Sequence, residues 1–211
     1  ELCRSILSVG GRFGYTDDGE TANTQIALYD FGDAKMIFEV RGLPTPAQRG
    51  ASVGNIFHCA NGYMVLPNYN RAVAHDNDGR EIRSWQGADD HYGNFVRAVR
   101  SRRRQDLHGD IEEGHLSSAL CHLANISYRL GEMRPFGQRA EAFGDDRVAN
   151  ETLAAMTDHL RTNSVDVANT MLRVGRRLTI DPRTEQFLDN AEANRHLTRE
   201  YRQNFVVPAR V

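Results

Sequence analysis

The stretch from residue 110 to 131, DIEEGHLSSALCHLANISYRLG, limits what this chain can fold into more than any other. Leu116, Leu120, Leu123, Ile126 and Leu130 recur at intervals of three and four, with Ala119 and Ser127 between them, so one face of a helix is built for burial. Gly131 after this run is expected to supply a left-handed C-terminal cap. The other face carries His115, Ser118, His122 and Asn125, which are polar without formal charge at neutral pH. Solvated helix faces usually carry Lys, Glu and Arg. An uncharged polar stripe instead suits a domain or subunit interface, or the floor of a site, where each group finds a hydrogen-bond partner.

Around this helix the apolar period changes once. Residues 6–13 (ILSVGGRF) read as a first strand, and residues 14–23 form a polar loop after it. Residues 24–31 and 35–40 alternate on both sides of Gly32-Asp33, a strong hairpin signal. Residues 41–52 hold two prolines and two glycines and read as a connection. Residues 54–59 and 62–66 pair across Asn61-Gly62, and residues 72–75 and 81–85 pair across Asn77-Asp78-Gly79, a turn without the ligand spacing of a calcium loop.

From Asp89 the period is helical. Asp89 or Asp90 caps a helix with Tyr92, Phe95, Val96 and Val99 inward, ending in the cations of residues 100–104. After the central helix, residues 134–144 read as a loop, 145–161 and 164–173 as amphipathic helices, and 177–180 as a short strand. A further helix is expected from Asp181-Pro182 to about Leu197, and an extended segment at residues 205–207. Strands first and helices after imply one α+β domain over residues 1–211: an open, mainly antiparallel sheet with helices packed on one face, and about 135–174 as a helical elaboration. The opposite sheet face would meet solvent or a second copy of the chain.

Composition narrows the function. The sequence has no run of about eighteen apolar residues and no basic leader, so neither membrane insertion nor secretion is expected, and the location reads as cytoplasmic. A formal charge of -2 gives no steering toward nucleic acid or anionic lipid, and neither is expected as a partner. Lys35 is the one lysine, so any chemistry needing a lysine has a single candidate. Cys3, Cys59 and Cys121 are odd in number and widely spaced, which fits reduced thiols in a reducing compartment.

Cys121 reads as a small core residue, and adjacent Cys121 and His122 splay apart on a helix. Glu112 and His115 have the Glu-x-x-His spacing of di-metal bundles, but no second copy accompanies them and no metal is expected. Gly10-Gly11-Arg12-Phe13-Gly14 does not fit a dinucleotide fingerprint. Asp17, Asp18, Glu20, Glu39, Arg41 and Arg49 would meet at one rim of an antiparallel sheet, where carboxylates and guanidiniums suit sugar hydroxyls or an acidic substrate. Ordinary solvated loops carry the same residues, so both readings stand.

Four blocks together resemble a known family: GGRFGYTDDGETANTQIALYDFGD, GNIFHCANGYMV, HYGNFVRAVRSRRRQDLHGDIEEGHLSSALCHLANISYRLG and LTIDPRTEQFLDNAEANRHLTREYRQNFVVP. They resemble the C-terminal half of the Gfo/Idh/MocA oxidoreductases, the family of glucose-fructose oxidoreductase and inositol dehydrogenase. The resemblance implies an N-terminal Rossmann domain that binds NAD or NADP, and a C-terminal sheet domain that binds a sugar, polyol or related compound and mediates oligomerisation. That Rossmann domain would be missing from this sequence.

The family's glycine-rich loop, its Glu-Lys-Pro tripeptide and its Asp-x-x-x-His segment have no counterpart here, and Lys35 lies in a hairpin, so no catalytic residue maps onto this chain. No cofactor is expected on this chain alone, and hydride transfer by it alone is not expected. If that resemblance holds, the residue reading above puts Glu20, Glu39, Arg41 and Arg49 at the substrate rim and His115, Ser118, His122 and Asn125 at a domain or subunit seam. The other class of function is a stand-alone, non-catalytic binding or scaffold protein derived from that domain.

Overall fold

The hairpin read from alternation lies at the edge of the larger of two antiparallel sheets. The computed structural model describes residues 1–136 and 142–208, and the chain divides into two compact units, Glu1–Pro44 with Glu112–Val211, and Thr45–Ile111. A single domain is what sequence patterning alone suggests. In chain order the strands are β1 (Ser5–Gly11), β2 (Thr24–Asp30), β3 (Lys35–Arg41), β4 (Asn55–Cys59), β5 (Gly62–Asn68), β6 (Arg71–His75) and β7 (Glu81–Gln86). Helices α1 (His91–Ser101) and α2 (Ile111–Arg129), strand β8 (Glu132–Pro135) and helix α3 (Arg147–Thr162) follow. Strands β9 (Met171–Val174), β10 (Leu178–Asp181) and β11 (Gln186–Phe187) and the short helix α4 (Ala191–Arg195) come next among the described residues. Residues 137–141 of the expected 134–144 loop lie outside the described residues.

The larger sheet runs β11-β10-β1-β2-β3, with β9 also on β1 and β8 on β9. The α+β class and the open antiparallel sheet follow the sequence patterning. The helices do not all lie on one face. Alternation sends Leu7, Val9, Ile26 and Leu28 to one side of β1 and β2, and Ile6, Ala27 and Tyr29 to the other, and all seven are buried. Strands buried on both faces need cover on both. Ala149, Leu153, Met156 and Leu160 of α3 supply one cover, and Leu123, Ala124 and Ile126 of α2 the other. The helix of the 135–174 segment is therefore a wall of the core.

Along β1 the edge partner changes register. Val9 faces Val174 and Gly10 faces Arg173, whereas Ser5 faces Thr179 and Ile6 faces Leu178, so one extra residue is inserted between β9 and β10. Ser127 of α2 fills the gap in the ladder. Its Oγ accepts from Ser8 N at 3.0 Å and donates to the Arg176 carbonyl at 2.8 Å. The sequence reading assigns Ser127 only to the packed face. The loop after β1 closes in a comparable way, because the Asn23 side chain pairs with both backbone groups of Phe13, at 3.1 and 2.9 Å.

Four further expectations change. Residues 164–173 are turns leading into β9: Ser164 adopts φ 60, Val165 N returns to the Leu160 carbonyl, and Asp166 accepts from Ala168 N and Asn169 Nδ2, ending the helical path. Asp181 opens a tight turn, with Glu185 N bonded to its carbonyl at 2.8 Å, so β10 and β11 pair and only the five-residue α4 follows. Residues 205–207 form no strand and are exposed, and Cys121 is exposed too.

The second unit is a meander in the order β4-β5-β6-β7 with α1 after it. Asp90 caps α1 by accepting from Gly93 N at 2.9 Å. The helix does not bury its apolar stripe: Tyr92 is 77% exposed and Phe95 60%. Asn94 is buried instead, because its side chain donates to the Asp106 carbonyl at 2.7 Å and accepts from His108 N at 3.0 Å. Those bonds turn the opposite face of the helix inward. No helix among the described residues is long and apolar enough to cross a membrane.

Leu123→Ala and Leu160→Ala should each lower the unfolding free energy by about 2–5 kcal/mol in urea titrations, because each empties one side of the sheet. A loss at Leu123 alone would mean that only one face is core.

Candidate functional site

Alternate residues of β3 share one side, and Ile37 packs into the cluster beneath α3, so Glu39 and Arg41 rise on that side. The two form an ion pair, with Arg41 Nη2 and Nε donating to Glu39 Oε2 at 2.7 and 2.9 Å. Both side chains are mostly buried, at 21% exposure for Glu39 and 24% for Arg41. A fork bonded to one carboxylate oxygen leaves the other oxygen and further N–H groups for a ligand.

The third member comes from α3. His159 is buried, and no described group bonds to its Nε2. Asn163, the cap residue of α3, donates from Nδ2 to the Pro44 carbonyl at 3.0 Å and to the His159 carbonyl at 2.9 Å, and lies 3.4 Å from His159 Nδ1. Burial holds the imidazole below the ordinary histidine range, the Arg41 cation adds to this, and the Glu39 carboxylate opposes it. A neutral, uncommitted imidazole nitrogen near an ion pair can donate to or accept from a hydroxyl.

The helix bearing His159 is fixed at its other end. Asp146 caps α3 by accepting from Ala149 N at 3.0 Å, and its other oxygen takes Lys35 Nζ at 2.6 Å. Lys35 holds its proton more tightly through this bond, and Asp146 loses its proton more readily. The single lysine is thus bound to a helix cap.

Three other rim residues have partners of their own. Asp17 pairs with Arg12, and Glu20 with Arg129 at the end of α2 at 3.3 Å. Arg49 belongs to the second unit, with its guanidinium over the Tyr63 ring at 4.0 Å. On α2, His115 Nε2 lies 2.7 Å from Glu185 Oε2, and Ser118 Oγ donates back to the Gly114 carbonyl at 2.8 Å. His122 is exposed and Asn125 half-buried. Only Glu39 and Arg41 among the rim residues bond to one another.

The chain matches no protein-family model, no curated protein and no solved structure. The reading of the site therefore rests on the geometry of the Glu39–Arg41 pair and on the electrostatic influence of both residues on His159. Sequence reasoning missed His159. Its signal was a histidine beside Leu160, within the pattern of Ala149, Leu153, Met156 and Leu160 that α3 buries. No group of three or more metal-ligating side chains is assembled among the described residues.

The depressed affinity of His159 for protons has a definite sign. The unfolded chain protonates this residue near about pH 6.5 whereas the folded chain resists, so the contribution is full above that pH and is lost as pH falls toward the folded-state value. Thermal unfolding at about pH 7.5 and about pH 5.5 should show a smaller acid-induced drop for His159→Gln than for the parent chain. Equal drops would mean that His159 carries no such penalty.

Proposed function

We propose that this chain is the C-terminal substrate-binding and oligomerisation domain of an NAD(P)-dependent oxidoreductase acting on a sugar, polyol or related compound. The observation that carries the proposal is the mostly buried Glu39–Arg41 pair with the uncommitted imidazole of His159 near it. A carboxylate accepts from neighbouring hydroxyls, a guanidinium donates to their oxygens, and an imidazole nitrogen does either. That set orients a polyhydroxylated substrate, and the residues named bind and position it.

NAD or NADP would supply the hydride acceptor, held by a Rossmann domain outside these residues. The segment at Gly10-Gly11 does not fit the dinucleotide. It lies in β1, and the chain continues through a loop into β2, with no helix N-terminus after the glycines to face a pyrophosphate. A second copy of this chain is the proposed partner in oligomerisation. Support comes from apolar side chains left exposed in the second unit, Phe57 on β4 and Tyr92, Phe95 and Val96 on α1.

The coding sequence upstream of Glu1 tests the proposal. An open frame carrying a glycine-rich βαβ unit and Glu-Lys-Pro is the expected result. A start codon directly before Glu1 would contradict it and favour a stand-alone binding protein. In the enzyme so defined, Glu39→Gln and Arg41→Gln should each raise KM for the polyol about tenfold and leave KM for the dinucleotide unchanged.

A further inference from the structure

The second unit holds an open depression of about 380 Å³ whose lining includes Asn68, Tyr69, Asn70, Arg71, Trp85 and Asp89. All six belong to the Thr45–Ile111 unit. The volume lies in the range of small-molecule sites. The frame is hydrogen-bonded: Asn68 Oδ1 accepts from Asn70 N at 2.9 Å at the turn between β5 and β6, and Gly87 N donates to the Asn70 carbonyl at 2.9 Å, tying the segment after β7 to that turn.

The groups facing this space are poorly used by the protein itself. Tyr69 is fully exposed, and Trp85 keeps 41% of its surface in water although the Arg83 guanidinium lies 4.9 Å from its ring centre. Among the described residues Arg71 makes no ion pair and the Asn70 side chain makes no hydrogen bond. Asp89 is held by His108 Nδ1 at 3.0 Å. Exposed aromatic rings beside planar amide and guanidinium groups suit a ligand with C–H faces and hydroxyl edges. The rings stack against its apolar faces, and the amides and guanidinium bond its hydroxyls. One cation and one anion in the lining give no net charge, which disfavours phosphate or another multiply charged anion.

We propose that this depression binds a neutral saccharide of one or two rings, with Trp85 and Tyr69 as stacking surfaces and Asn70 and Arg71 as hydroxyl partners. The site is independent of Glu39 and Arg41, which lie in the other unit.

Trp85 is the single tryptophan of the chain, so its fluorescence is a direct probe of this depression. Titrations with D-glucose, maltose, D-glucuronate and inorganic phosphate, each to about 50 mM, test the proposal. Glucose or maltose should give a saturable change. Arg71→Ala and Tyr69→Ala should each weaken it about tenfold, and Glu39→Gln should leave it unchanged. Tyr69 is fully exposed, so its replacement leaves the fold intact even if Arg71→Ala disturbs the turn. No saturable change with either sugar would overturn the proposal. Saturation by phosphate or glucuronate instead, or an effect of glucose that survives Tyr69→Ala at full strength, would do the same. Loss of the signal in Glu39→Gln would place binding at the other unit and also overturn it.

Discussion

Ser127 stands where the central strand of the larger sheet loses its edge partner. The extra residue between β9 and β10 leaves Ser8 N and the Arg176 carbonyl without a partner in the ladder, and both are satisfied by the one hydroxyl. Arg176 N returns to the Ser127 carbonyl at 3.0 Å. A buried amide or carbonyl without a partner is costly, so the bulge and the serine depend on each other. The helix must come very close for this. A Cβ on Gly175 would sit 2.5 Å from the Ser8 carbonyl oxygen, and one on Gly131 would sit 2.3 Å from that of Val174. Glycine at both positions allows α2 to settle on the sheet, where the Tyr29 hydroxyl donates to the Leu120 carbonyl at 2.8 Å.

With α2 fixed on one face, the other face of β1 and β2 is left to α3, and the candidate site follows from that second packing. Lys35 at the start of β3 holds the cap of α3, and Asn163 at the end of the helix bonds back to Pro44 just past β3. Strand and helix are pinned at both ends. Between the pins, His159 enters the surroundings of Glu39 and Arg41, and the same burial that supports the core keeps its imidazole neutral.

Local patterning made much of the fold legible. The hairpin of β2 and β3 shows in the alternation around Gly32-Asp33, and β4 to β7 show in two turn signals, because both depend on neighbours in sequence. What covers an apolar face is a longer-range matter. The stripe of α1 has the right period, yet the hydrogen bonds of Asn94 decide which side turns inward. Residues 164–173 have apolar spacing that suits a helix, but pairing of Val174 and Arg173 with β1 makes the end of that segment a strand. Glu39 and Arg41 were legible as rim residues, and the strand runs one residue further than its alternation suggests, which sets them two apart on β3. His159 was not, since packing of a distant helix brings it there, and Arg49 belongs to the other unit.

Replacing Ser127 by Ala tests most directly whether this hydroxyl holds helix and sheet together. Urea unfolding should show a loss of about 1–3 kcal/mol, accompanied by faster hydrogen exchange at the Ser8 amide. An unchanged unfolding free energy with the Ser8 amide still protected would contradict the account.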